Sequence, residues 1–298
     1  VAKGESRVAS KSFEFTSWWS DAQNHQIRDL VDFARTFLAK RTLLNILTRF
    51  CVFTCDKDLM VMRPYQIAAT EAILNRIKVA NQYRWEGSEK AGGYIWHTTG
   101  SGKTLTSFKT ATLAADLPEI DKVLFVVDRK DLDYQTIKEY DKFEKGAASS
   151  NKSTAILARQ LDDPDSRIIS TTSQKLSNYV QRARKGDAAR KKVADKKIVI
   201  IFDECHRSQF GTMHAAICDF FKKYFIFGFT GTPIFSKNAV KTGKHRSKQM
   251  TTEQLFGERM HVYTVLDAIR DRNVLGFKVD YHSTMRMKED IRDEQVSD

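Results

Sequence analysis

Eight consecutive residues, His97-Thr98-Thr99-Gly100-Ser101-Gly102-Lys103-Thr104, have the make-up of a polyphosphate cradle. Gly100 and Gly102 permit a backbone with φ > 0 that can come close to an anion, so that successive N–H groups, those of Thr99 and Ser101 among them, and a helix N-terminus point at it. Lys103 would then place its charge on the β- and γ-phosphates, and the Thr104 hydroxyl would ligate Mg²⁺. The strict pattern G-x-x-x-x-G-K-[ST] has glycine where this chain has His97. The bland alternative is a tight strand-to-helix turn with a stray lysine. A second cluster weighs against that alternative: Asp203-Glu204-Cys205-His206 follows the apolar run Ile198–Phe202. Two adjacent carboxylates behind a phosphate loop suit two tasks. Asp203 can hold Mg²⁺ through water, and Glu204 can orient or deprotonate an attacking water. A third candidate is Gln66, whose amide carries a donor and an acceptor and could read both edges of adenine; its bland reading is an exposed first-turn glutamine.

These residues need a frame, and the hydrophobic pattern supplies one. Tyr94-Ile95-Trp96 is a short strand ahead of the loop, and a helix is expected from Lys103 to about Ala115. Val123–Val127, Ile198–Phe202 and Phe225–Phe229 are uninterrupted apolar runs of the kind buried on both faces of a parallel sheet. Arg167–Thr171 is a further strand, followed by Thr172-Ser173-Gln174-Lys175-Leu176. The run Phe225–Phe229 leads into Thr230-Gly231-Thr232-Pro233, and Val127 into Asp128-Arg129. In an open parallel sheet ligands sit beyond the carboxyl ends of the strands, where all these polar clusters fall.

A helix should begin at Arg63-Pro64-Tyr65-Gln66, with Pro64 at its first position and Ala69, Ala72, Ile73, Ile77 and Ala80 at helical spacing. Asp131–Phe143 reads as helix, 146–151 as a loop, Arg182–Lys197 as a basic solvated helix or excursion, and Ser236–Thr252 as a polar segment. Thr264 with Asp267 forms a capping box opening a helix through Arg272, and Phe277–Tyr281 reads as one last strand. Ahead of Arg63, Gln26–Arg49 gives two amphipathic helices broken near Lys40-Arg41, and Phe50–Thr54 is strand-like.

Composition narrows the class. A chain of 298 residues is a prior of roughly two domains, and 41% hydrophobic with 29% charged residues is ordinary for a globular protein. No apolar run is long enough to span a bilayer, and the polar start at Val1 is unlike a signal peptide. The four cysteines, Cys51, Cys55, Cys205 and Cys218, lie in or beside apolar runs, without a second pair at zinc spacing. A reduced, cytoplasmic protein is the expectation. The net charge of +12 favours a polyanionic partner, nucleic acid first.

Taken together, the motifs resemble superfamily 2 helicases and translocases, and within them the motor subunit of type I restriction-modification enzymes, over roughly Cys51 to Tyr281. Arg63-Pro64-Tyr65-Gln66 is similar to the adenine-reading motif, and Trp96–Thr104 to motif I, where this family uses His in place of the first Gly. Val127-Asp128-Arg129 is similar to motif Ia, Asp203-Glu204-Cys205-His206 to motif II, and Thr230-Gly231-Thr232-Pro233 to motif III.

The resemblance implies an α/β fold: a RecA-like P-loop NTPase domain with a mostly parallel sheet flanked by helices, preceded by a partly helical segment. It implies ATP and Mg²⁺ as cofactors, with Arg63, Tyr65 and Gln66 at the nucleotide. It implies Arg129, Thr171, Thr172, Gln174 and Lys175 along DNA, and His206, Thr230 and Thr232 coupling the two sites. Implied partners are double-stranded DNA and the specificity and modification subunits. The implied division is 1–62 as the tail of an upstream domain, 63–275 as the first motor domain, and 276–298 as the start of a connection to a second one. No nuclease pattern of spaced carboxylates and lysine precedes Arg63, so the expectation is a fragment of a longer subunit. ATP-driven movement on duplex DNA feeding an endonuclease is the leading expectation. The alternatives are a DExH-type RNA helicase and a non-catalytic ATP-gated scaffold.

Overall fold

The structure is a computed structural model that describes residues 17–54, 57–127, 154–183, 193–203, 205, 210–237, 241–242, 247–248 and 250–278. In chain order the elements are α1 (Leu30–Thr36), α2 (Lys40–Arg49), β1 (Cys51–Phe53), β2 (Leu59–Val61), α3 (Pro64–Gln82), β3 (Gly93–His97) and α4 (Lys103–Ala115). They continue with β4 (Lys122–Val127), α5 (Thr154–Asp162), β5 (Ile168–Thr172), α6 (Ser173–Ala183), β6 (Lys197–Phe202), α7 (Phe210–Phe220) and β7 (Lys223–Thr230). A two-residue pairing of β8 (Lys241–Thr242) with β9 (Ser247–Lys248) precedes α8 (Thr252–Phe256), β10 (Arg259–Tyr263) and α9 (Val265–Arg270).

Six strands form one sheet in the order β10-β3-β7-β6-β4-β5, and every neighbouring pair in it is parallel. The apolar runs of β4, β6 and β7 are buried along nearly their whole length because helices cover both faces. Alternate residues serve the two sides. Val123, Phe125, Val199, Ile201, Phe225 and Phe227 pack with α3 and α4. Leu124, Val126, Ile198, Ile200, Phe202 and Ile226 pack with α5, α6, α7 and α8.

The chain leaves β3, passes over two strand positions to β4, returns through β6 and β7, and finally places β10 on the other side of β3. That reversal of direction opens a crevice at the carboxyl end of β3, where the glycine-rich loop begins. Helix α3 starts with Pro64 at its first turn and buries Ala69, Ile73, Ile77 and Ala80 against this core, while its Thr70 hydroxyl lies 3.0 Å from that of Thr110 in α4.

The residues before Arg63 join the same structure. Ile46, Phe50 and Met62 belong to the core on the α3 side. Asn24, with φ 65°, donates from Nδ2 to the Val262 carbonyl at 2.7 Å, and Arg270 donates to the Asn24 carbonyl at 2.9 Å, which ties this segment to β10. The break between the first two helices falls at Phe37–Ala39, a residue before the expected position.

Several expectations need correction. Strand β10 is a difference from the expectation: its short run, Arg259-Met260-His261-Val262-Tyr263, alternates polar and apolar residues and buries His261 and Tyr263. Phe277 and Lys278 are irregular rather than the start of a strand, and 279–281 lie outside the described residues. Ser173–Leu176 is the first turn of α6. The helix expected over 131–143, the loop over 146–151 and residues 184–192 of the basic stretch also lie outside the described residues.

Gly92, just before β3, sits where a Cβ would meet the Ile226 and Phe256 carbonyl oxygens, each at 2.5 Å. Gly92→Ala should therefore destabilise by about 1–3 kcal/mol, since backbone must move. Gly276→Ala, with nothing within 4 Å, should change stability by less than about 0.5 kcal/mol. Urea denaturation of the two variants checks both expectations.

Candidate functional site

The loop between β3 and α4 is built around its two glycines, Gly100 at φ 79° and Gly102 at φ 74°. At Gly102, the residue capping α4, a side chain would be strained by the left-handed backbone and blocked by the Gln66 amide, 2.7 Å from the Cβ position. The turn is closed from within by Ser101, whose hydroxyl donates to the Thr98 carbonyl at 2.6 Å. Thr99, Gly100 and Gly102 are exposed, Thr104 is partly exposed, and Lys103 is buried. An anion can thus reach the loop's backbone while the lysine approaches it from the protein side.

Two further segments stand at the carboxyl ends of β6 and β7, on the same sheet edge as the loop. Asp203 stands immediately after β6, buried, with its N–H donating to the Val126 carbonyl at 3.0 Å. Thr230 ends β7, fully buried, and its hydroxyl accepts from the Thr232 N–H at 3.0 Å. Gly231 follows so closely that its Cβ position lies 3.3 Å from the His97 carbonyl oxygen and 3.5 Å from Lys103 Nζ. The Trp96 indole, from the strand that leads into the loop, donates to the Gly231 carbonyl at 3.1 Å and fixes that approach. Glu204, His206 and Arg129 lie outside the described residues.

The structure corrects the bland reading of Gln66 and refines the rest. Gln66 is only 3% exposed. Its Oε1 accepts from the Arg63 N–H at 2.8 Å, and its Nε2 donates to the Ser101 carbonyl at 3.0 Å. Tyr65 donates to the same carbonyl at 2.8 Å. Arg63, Tyr65 and Gln66 stand beside the loop, but the amide expected to read adenine is spent on backbone.

On the surface expected to meet DNA, Gln174 is exposed and Lys175 partly so. Thr171 and Thr172 are buried, and the Thr172 hydroxyl is 3.4 Å from the Lys175 N–H at the start of α6. The two threonines close the strand end.

Five residues of the site escaped sequence reasoning. Tyr263 stacks on Tyr65 with centroids 3.7 Å apart and planes 9° from parallel. Its hydroxyl donates to Asp271 at 3.0 Å and accepts from Asn273 at 2.6 Å, while the other Asp271 oxygen accepts from Gln26 at 2.7 Å. His261, next in the same strand, is 2.9 Å from the fully buried His97 through ring nitrogens. For His261 and Tyr263 the alternation in 259–263 was a signal.

His97, the residue that departs from the strict loop pattern, fills the wall behind the loop and meets the Tyr65 ring edge-on at 5.4 Å. Burial, and then the charges of His261 and Lys103, hold His97 well below the usual imidazole range. Burial also lowers His261 to about 4, against a weaker opposing effect of the Ala22 backbone. Both phenols are pushed up by burial, so Tyr65 and Tyr263 stay hydroxyl donors.

Fold and loop together define a P-loop ATPase domain, and comparison with known proteins agrees. The SWI2/SNF2 ATPase family model matches residues 65–298. An endonuclease subunit of a type I restriction enzyme from Staphylococcus aureus (strain COL) is 43% identical over 273 residues, which cover 91% of this chain and 27% of that subunit. The C-terminal part of a putative type I restriction enzyme endonuclease subunit from Mycoplasma pneumoniae is 52% identical over 207 residues, covering 68% of this chain and 99% of that protein. Among solved structures, a nuclease-deletion mutant of a type ISP restriction-modification enzyme with a DNA substrate mimic is similar at TM-score 0.46 and 19% identity, over 71% of this chain and 20% of the other. The chain belongs to the SWI2/SNF2 ATPase family and, within it, to the endonuclease subunits of type I restriction enzymes. It spans about a quarter of the length of the staphylococcal relatives.

The buried histidines make stability depend on pH with a definite sign. The folded state holds them neutral, whereas the unfolded chain protonates them near the ordinary value of 6.5. Their contribution is fully present above pH 6.5 and is lost as pH falls toward the folded values. His261 alone should contribute a loss of about 3 kcal/mol by pH 4. Urea unfolding between pH 7 and 4.5 should show a shallower pH dependence for His261→Asn than for the wild type.

Proposed function

We propose that this chain is the ATP-driven motor part of a type I restriction endonuclease subunit, moving double-stranded DNA so that the intact subunit can cleave it. The observation that carries the reading is the left-handed glycine loop ending on buried Lys103, with a Cβ position at Gly231 3.5 Å from the lysine amine. A lysine at a helix N-terminus behind a left-handed glycine turn sets its charge where the loop's backbone amides can also hold an anion.

In this reading the loop N–H groups from Thr99 to Lys103 hold the triphosphate, and Lys103 stabilises charge on its terminal phosphates. The donors Thr104 and Asp203, a hydroxyl and a carboxylate, suit Mg²⁺, which would neutralise developing phosphate charge. Glu204 accepts a proton from the attacking water. Thr230, Thr232 and His206 convey the state of the phosphate to the DNA side, where Arg129, Gln174 and Lys175 contact backbone without reading sequence. Thr171 and Thr172 support that surface from below. Recognition of a DNA sequence falls to the specificity subunit, with the modification subunit as the further partner, in the cytoplasm.

The test is ATP hydrolysis by the intact subunit with duplex DNA, RNA or neither. Duplex stimulation is expected; stimulation by RNA alone would favour an RNA helicase, and no hydrolysis a scaffold. Glu204→Gln should keep nucleotide binding and lower turnover by at least about 10²-fold, whereas Asp203→Asn should also lose Mg²⁺-dependent affinity. Lys175→Ala should reduce the salt slope of DNA binding by about one unit for all sequences alike.

A further inference from the structure

The chain that leaves α9 is gripped over one short stretch and free of neighbours over the next. Arg272 takes a left-handed backbone, φ 58°, and its N–H donates to the Ile269 carbonyl at 3.0 Å. The Asn273 N–H donates to the Ala268 carbonyl at 2.8 Å, which completes a Schellman closure of the helix, and the Val274 N–H reaches the same carbonyl at 3.3 Å. Past Val274 the hold ends. Leu275 is 90% exposed, Phe277 is 66% exposed, and a Cβ on Gly276 would meet nothing within 4 Å.

The gripped stretch meets the glycine-rich loop in two ways. Val274 Cγ2 lies 3.6 Å from the Cβ position of Gly100, and among the described residues, chain neighbours aside, nothing else comes within 4 Å of that position. The same valine packs against Tyr65, Tyr263 and Ala268. Asn273 donates from Nδ2 to the Tyr263 hydroxyl at 2.6 Å, and the Tyr263 carbonyl accepts from the Thr98 N–H, at the start of the loop, at 2.9 Å. Gly100 is exposed and left-handed, and with no side chain of its own its place depends on what packs there.

We propose that Val274 is a positioning residue that joins the phosphate loop to the chain beyond α9: a polyphosphate that orders the loop also orders residues 272–274 and so fixes the direction in which 275–277 leave. The inference rests on the nucleotide reading of the loop given above. The link is one of order. A loop held by an anion presents a fixed surface at Gly100, and packing Val274 on a fixed surface costs less conformational entropy than packing it on a moving one. By the same linkage, a well-packed Val274 favours the loop that holds the anion. This route is separate from the one through Thr230 and Thr232, which stand at the end of β7.

The experiment follows amide hydrogen exchange in a peptide covering 271–277 of the intact subunit, with a non-hydrolysable ATP analogue, with inorganic tripolyphosphate and with neither, while calorimetry reports binding in the same samples. Each ligand should slow exchange at 272–274 by at least about fivefold, the low end for coupled sites. Val274→Ala should still bind the analogue and lose this slowing, whereas Leu275→Ala, altered at an exposed position, should keep it. Ligand bound to the wild type without slowed exchange would overturn the inference whatever the variants do. Full slowing in Val274→Ala, or an equal loss in Leu275→Ala, would overturn it too. Calorimetry separates the two levels: a wild type that binds neither ligand overturns the nucleotide reading, and the inference with it.

Discussion

The carbonyl oxygen of Ser101 accepts two buried side-chain hydrogen bonds, one from Tyr65 and one from Gln66, and the shape of the phosphate loop depends on them. A buried carbonyl with both lone pairs used is well satisfied, and losing one of the two bonds would cost about 0.5–1.5 kcal/mol at the point where the loop must stay open toward solvent. Both donors come from the first turn of α3, whose position is fixed by Pro64, by the Arg63–Gln66 cap and by the deep burial of Ile73 and Ile77. The loop's geometry is therefore held by an element that precedes it by some 35 residues and packs on the same sheet face as α4.

The support has a second layer. Tyr65 lies flat on Tyr263 of the edge strand, whose hydroxyl is gripped by Asp271 and Asn273. Asp271 in turn receives the Gln26 amide, and the Asn24 amide bonds the backbone of β10. Residues near the beginning and near the end of the described chain thus brace the back of the loop. Beside them the Trp96 indole holds the Gly231 carbonyl, so β3 bears on both the start of the loop and the segment after β7.

Much of this frame could be read in advance because its physical demands are narrow. Strands buried on both faces need unbroken apolar runs, as at 123–127 and 198–202, and a left-handed backbone needs glycine, as at 100 and 102. The rest was hidden for equally physical reasons. Strand β10 is short and half exposed, so its alternation over five residues carries little signal, and Tyr263 meets Tyr65 only through a contact spanning nearly 200 residues. A glutamine in a first helical turn is ordinarily solvated; nothing in Arg63-Pro64-Tyr65-Gln66 shows that the loop will fold down onto its amide. Threonines at a strand end suit either a phosphate contact or a buried closure, and only packing decides between the two for Thr171 and Thr172.

The rings of the wall behind the loop are neutral, and the carboxylate bonded to them, Asp271, is held by the Tyr263 hydroxyl and the Gln26 amide. Burial raises both tyrosines and depresses both histidines, so Tyr65, Tyr263, His97 and His261 are all neutral at neutral pH. A cation in their place would repel Lys103 across a medium of low dielectric, and an anion would compete for it, each with an energy far above its value in water. Neutral donors and rings fix the loop's shape without either penalty. The field at the loop is then governed by the groups that face it, Lys103 and the backbone amides ahead of α4. This is also the physical sense of His97 standing where the common loop pattern has glycine: the position faces a wall to be filled rather than an anion to be approached, and an uncharged imidazole bonded to His261 fills it.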